Sequence, residues 1–186
     1  MSVMILVDHF LVAMPHVEDP NFSQSVIYIC EHSEKGAMGI MINKPIGLTL
    51  GELLNYVDIS CKSPKDSQLE VVAGGPIQQE SGFILHPTEE VWQTTLHINE
   101  HVAVTSSRDI LEAIALGQGP QHILPALGYC SWGAGELEQG IFDNLWLCVP
   151  AVTQLIFDSP FQERWQAAAS LIGVNLYQIS SDVGRA

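Results

Sequence analysis

The chain has 186 residues, 47% of them hydrophobic and 15% charged, a composition that excludes disorder and predicts one domain over 1–186. A domain of this size buries roughly 70% of the surface its unfolded chain exposes, so it needs neither metal nor disulfide to hold together. Seven Lys+Arg against 21 Asp+Glu leave a formal net charge of −14, which repels phosphate backbones and anionic headgroups and argues against direct nucleic-acid binding.

In chain order, Ser25 to Glu31 and Ala37 to Asn43 are β-rich runs separated by the polar His32-Ser33-Glu34-Lys35-Gly36, which predicts a hairpin with a loop of about five residues. Both arms are apolar at nearly every position, so both faces should be covered and the hairpin central in its sheet. Pro45 ends the second arm because it has no N–H for a ladder. Thr49, with Glu52 three residues on, predicts a capped helix presenting Leu50, Leu53, Leu54 and Val57. Cys61 to Gln68 reads as an exposed loop. Strands are expected at 69–73, 82–86, 95–98 and 102–105, the first two joined by Gly74-Gly75-Pro76.

Ser106 is the expected cap of a helix with Ile110, Leu111 and Ile114 on one face and Gly117 at its stop. His122 to Cys130 reads as a strand in which Pro125 argues for an edge position or a bulge. Gly135 to Phe142 suits one or two helical turns, and Leu145 to Val149 a buried strand. A last helix is signalled by Ser159 as cap, Pro160 in the first turn and Gln162 as reciprocal partner. Its stripe is Phe161, Trp165, Ala168 and Ile172, and Gly173 ends it. Helices interleave irregularly with strands that include a hairpin, so the fold class is α+β with a mixed or antiparallel sheet.

Cys30, Cys61, Cys130 and Cys148 are spread widely, form no CxxC pair and read as reduced core residues. Met1 to His9 has no basic flank, and Asp8 interrupts its apolar run, so no export signal is expected and the expected compartment is the cytoplasm. The longest weakly polar stretch, Leu145 to Phe157, falls short of the ~20 residues of a spanning helix, and no membrane partner is expected.

No spacing matches a zinc pattern, a nucleotide-binding glycine loop or a GxSxG elbow, so no cofactor or metal is expected. Histidines at strand ends read as residues satisfied by backbone or water. Cys30 and His32, two apart in a strand, would share a face, yet the apolar neighbours of Cys30 favour a buried, inert thiol. Gly74-Gly75-Pro76 and Gly133-Ala134-Gly135 read as tight turns in preference to anion cradles. Between Arg108 and Arg164 there is no Lys or Arg, which predicts an acidic face. Trp132, Trp146 and Trp165 read as core residues.

Several runs taken in order resemble one family. They are His9 to Pro15, Glu18-Asp19-Pro20-Asn21-Phe22, Val26 to His32, Gly36 to Pro45, Gly74-Gly75-Pro76, Gly82 to His86, Thr105 to Asp109, Leu127-Gly128-Tyr129, Asp143 to Trp146 and Glu163-Arg164-Trp165. Together they are similar to the AlgH/YqgE family. The resemblance implies a bacterial cytosolic protein with a largely antiparallel, bifurcated or partly barrel-like sheet surrounded by helices. Members carry the label of transcriptional regulator, drawn from a link to alginate production, with no DNA-binding motif and no agreed catalytic set. The polar and turn positions carried over from it are His9, Asp19, Asn21, His32, Asn43, Gly74, Gly75, Pro76, Arg108, Asp109 and Asn144. The expected function is a non-enzymatic regulatory or binding protein whose partner is a protein or small molecule. The alternative is a hydrolase or metal-dependent enzyme using His9, Asp19 and His32.

Overall fold

In the computed structural model, which describes residues 5–183 and side chains as far as Ile179, the hairpin of β2 (Val26–Ser33) and β3 (Gly36–Met41) sits at the centre of the sheet as expected. Its loop is tighter than the polar run suggests, because His32 and Ser33 continue the ladder to Ala37 and Gly36. Ahead of it lies β1 (His9–Ala13), a five-residue apolar strand that no turn residue or alternation announces. The expectation for Met1 to Met4 lies outside the described residues.

Beyond the hairpin the chain forms β4 (Pro45–Thr49) and α1 (Leu50–Tyr56), where Thr49 and Glu52 close the expected capping box. The 61–68 segment is not all loop: Ser63 accepts from Asp66 N and, with Pro64 at the first position, starts one helical turn, α2 (Pro64–Ser67). Then follow β5 (Glu70–Ala73), a long β6 (Ile77–His86), β7 (Thr95–His97), β8 (Ala103–Thr105) and α3 (Arg108–Ala115). The N-cap position of α3 is Ser107, one residue later than expected, and its hydroxyl makes no capping bond: it donates to Asp109 Oδ1 and accepts from Thr94 N.

The remainder comprises β9 (Leu124–Gly133), α4 (Glu136–Phe142), β10 (Trp146–Pro150), α5 (Thr153–Phe157), a 3-10 turn at Phe161–Glu163, α6 (Arg164–Ser170) and α7 (Leu176–Val183). The expected Ser159 cap is not made. Its hydroxyl donates to Gln154 O in the first turn of α5, so the helix starts later, at Arg164, and Ile172 lies beyond it and 45% exposed.

The strand order is β10-β1-β2-β3-β9-β6-β8-β7, with β4-β5 branching off β9. All pairings are antiparallel except β5 with β9, which bears out an α+β fold with a mixed sheet. Pro125 is not on an edge: β9 is the central strand, and Pro125 stands opposite Ile84 just before the β5 pairing begins at Ala126. One edge of β9 is shared, Gly39 pairing with Cys130 and Val72 with Ala126, so the sheet forks there.

Gly74 sits in the fork. Its N–H donates to Leu127 O at 2.7 Å, and its carbonyl accepts from Met41 N at 2.8 Å. A Cβ on Gly74 would lie 2.3 Å from Gly128 O, and one on Gly75 would lie 2.1 Å from the Tyr129 carbonyl carbon. The glycines therefore serve a close backbone approach.

Three apolar clusters follow. One sheet face packs Phe10, Tyr28, Ile40 and Val149 under α5 to α7, and the other packs Leu11, Ile27, Ile29 and Trp146 under α4. Helices α1 and α3 bury Leu54, Ile110 and Ile114 beside Ile84. Trp146 and Trp165 are core residues as expected, and Trp132 packs edge-on against Trp146. Gly74→Ala should lower unfolding free energy by about 2–3 kcal/mol, because backbone is what the new methyl meets. Gly82→Ala, with its nearest neighbour at 4.0 Å, should change it by less than about 1 kcal/mol. Urea midpoints at constant slope check both.

Candidate functional site

Residue Cys30 is unpaired in a bulge between Ile29 and Glu31, and that extra residue inverts the alternation of β2. Cys30 stays with Val26 and Tyr28 in one cluster, whereas His32 turns to the opposite face, against Leu6 and α4. The thiol and imidazole that would share a face in a regular strand are therefore separated.

His32 is fully engaged. Its Nδ1 accepts from Leu6 N at 3.0 Å, which places the ring proton on Nε2, and Nε2–H donates to Glu138 Oε1 at 2.5 Å. The side chain is 1% exposed. Its Glu138 carboxyl is held below the usual range by its own backbone N–H and by His32, against the opposing effect of burial. Beside this pair a shallow groove of about 450 Å³ crosses β2, β3 and β9, lined by His32, Lys35, Met38, Ser131 and Trp132.

The other expected site residues fall into separate local ties. Asp19 Oδ1 accepts from Asn21 N at 2.8 Å, and Lys44 Nζ donates to Asn21 O at 3.3 Å. Asn43 Oδ1 accepts from Val26 N at 2.9 Å while its Nδ2 donates to Gln24 O at 2.8 Å, fixing the start of β2 to the end of β3. His9 Nδ1 donates to Val7 O at 3.0 Å. Arg108 pairs with Glu112 one turn on, and both are exposed. Asn144 occupies a left-handed turn, φ 59°, between α4 and β10. Gly74, Gly75 and Pro76 belong to the fork.

Asp109 anchors the start of α3 to the loop before β7. Burial acts to raise its carboxyl, but donors from the Ser107 hydroxyl, Gln93 N and Ile110 N outweigh it and hold the pKa below the ordinary value.

No hydrogen bond joins His9, Asp19 and His32, and among the described residues no group of three or more His, Cys, Asp or Glu is placed to hold a metal. Burial pushes the thiol of Cys30 up, and that of Cys130 up to about 12, so both stay protonated at neutral pH. His86, buried between Pro87 O and Thr105 Oγ1, has its pKa lowered by burial. Sequence reading misses Glu138, because 106 positions separate it from His32 and only its place in an acidic interval is legible.

A model of a family described as AlgH-like matches residues 10–177. A UPF0301 protein of Nitrosococcus oceani is 47% identical over 179 residues, 96% of each chain, and one of Thioalkalivibrio sulfidiphilus is 51% identical over the same shares. The solution structure of the AlgH protein from Pseudomonas aeruginosa superposes with TM-score 0.80 at 45% identity, covering 97% of this chain and 95% of that one. A crystal structure from Corynebacterium diphtheriae, at 20% identity and TM-score 0.68 over 90% and 87% of the two chains, shares the fold.

His32→Leu removes partners from Leu6 N–H and Glu138 together and should cost about 2–4 kcal/mol in denaturant unfolding. Glu138 and Asp109 bind protons less readily when folded than when unfolded, so their stabilisation is complete above about pH 4.5 and is lost as pH falls through the carboxylate range. Glu138→Gln and Asp109→Asn should each flatten the fall in Tm between about pH 5 and 3.

Proposed function

The chain belongs to the AlgH-like family, and on that premise we propose that it is a non-enzymatic cytoplasmic binding protein whose partner is a protein or a small molecule. Any effect on transcription then runs through that partner and not through contact with a DNA duplex. The observation that carries this reading is the engagement of His32. A general base needs a free ring nitrogen in reach of substrate, and His32 has neither nitrogen free and almost no exposure. Asp109 and Asn43 are engaged at both ends in the same way.

Charge supports the same reading. At −14, phosphate contacts would be made against the field of the whole molecule. No helix among the described residues is long and apolar enough to cross a membrane. The free thiols of Cys30, Cys61, Cys130 and Cys148 suit a reducing compartment.

Two measurements test the proposal. Fluorescence anisotropy with a labelled duplex at about 150 mM salt should show no saturable binding, and tight binding there would remove the indirect route. Turnover of any substrate by the purified chain, lost on His9→Ala or Asp19→Ala with far-ultraviolet circular dichroism unchanged, would overturn the non-enzymatic reading. The expected result is that both variants behave as the parent in every such assay.

A further inference from the structure

Among the described residues one Lys or Arg side chain lies inside this acidic molecule. Arg164 is 3% exposed. Its Nε donates to Ser159 O at 2.9 Å, and Nη1 donates to Ile42 O at 2.8 Å and Ile156 O at 2.9 Å. The ring of Phe161 lies 4.4 Å from the guanidinium carbon. These contacts use three of the five guanidinium N–H groups.

The rest belong to Nη2, which makes no hydrogen bond to the described residues. Nη2 is also not sealed: the enclosed, unpartnered side-chain atoms are Ser25 Oγ and Trp92 Nε1. No carboxylate stands within ion-pair distance of Arg164 among the described residues, Asp158 acting on it only from farther away. Burying a charge without a counter-charge is costly, and interior charges are ordinarily paired.

Arg164 lines a groove of about 420 Å³ between the starts of β5 and β9 and the α5–α6 connection. Leu69, Pro125, Phe157 and Phe161 give it apolar walls. Glu70 also lines it and Asp158 is near, so a dianion such as phosphate would meet two carboxylates, whereas a monoanion with an apolar body matches both the walls and the single cation.

We infer that this groove binds a small monocarboxylate with an apolar or aromatic body, its carboxylate accepting from Arg164 Nη2. The inference goes beyond the binding reading above and stands apart from it: carboxylate binding would survive proof of turnover, and its failure would leave partner binding elsewhere untouched.

Sodium benzoate is the probe, with benzamide as its uncharged isostere. In nitrogen-15 spectra of the full chain at constant ionic strength, benzoate should give saturable shifts of the Arg164 Nε–H and of the amides of Ile123, Leu124, Phe161 and Gln162. Benzamide should give none that saturate. Arg164→Lys keeps the charge and loses the planar fork, and should weaken benzoate about tenfold. Gln162→Glu adds a negative charge at the exposed rim without touching the carbonyl ties. It should weaken benzoate roughly threefold with Tm unchanged, which keeps the test valid if Arg164→Lys fails to fold. Equal shifts with benzamide, no saturation with benzoate up to about 50 mM, or unchanged affinity in Gln162→Glu would overturn the inference.

Discussion

The backbone contact between Gly74–Gly75 and Gly128–Cys130 is the constraint on which the architecture rests. Strand β9 holds β6 along one edge and both β3 and β5 along the other, and two strands can share an edge only if the chain between them turns away without side-chain bulk. The exclusion is reciprocal: a Cβ on Gly128 would lie 2.4 Å from Gly75 O, as one on Gly74 would lie 2.3 Å from Gly128 O. Within that space the Gly74 carbonyl accepts from both Met41 N and the Cys130 thiol, so the two arms are fixed to one atom. Because β5 joins β9 only from Ala126 onward, Pro125 can lack its N–H at the mouth of the fork, and it is there that a groove opens toward α6.

The polar residues answer a second problem, that of holding long connections against this sheet. The stretch between β1 and β2 carries few apolar anchors, and Asp19, Asn21 and Asn43 supply directional bonds in their place. His32 does the same for α4 and the segment before β1, joining Leu6 and Glu138 across one ring. Each tie converts side-chain polarity into position, and each leaves the residue less able to do chemistry, because hydrogen-bonding capacity used on the backbone is withdrawn from a substrate.

What the chain alone discloses follows the range of the interactions involved. The hairpin, the Thr49 capping box and the Gly117 and Gly173 stops, with φ of 75° at each, depend on neighbours within a few residues and are legible. Helix α5 and strands β1 and β4 are not, since each is only five residues long, and β4 contains both Pro45 and Gly47. Ser159 and Pro125 mislead for one shared reason. Cap and edge rules describe an isolated element, whereas the Ser159 hydroxyl is already held by Gln154 O and Pro125 is set near the start of a central strand, just ahead of its fork. Of the site, the residue types are legible but not their convergence: nothing local joins His32 to Glu138 or brings Arg164 against the Ile42 carbonyl, 122 positions away.

Arg164 also turns the global charge from a description into a constraint. Burial pushes its guanidinium down to about 10 while Asp158 pulls the other way, so it remains charged at neutral pH inside the fold. Three carbonyls stabilise that charge through dipoles, yet dipoles cancel no net charge, and no carboxylate of the described residues reaches ion-pair distance, Glu70 lying on the groove lining and Asp158 acting from farther away. A hydrophobic residue of similar volume would fill the same space without the desolvation cost, but would leave the Ile42, Ile156 and Ser159 carbonyls without this donor. Those ties account for three of the guanidinium N–H groups, and the two on Nη2 are the ones the inferred carboxylate would use. The acidic exterior disfavours polyanions at long range more than a single carboxylate, whose one charge the guanidinium would offset at the inferred site.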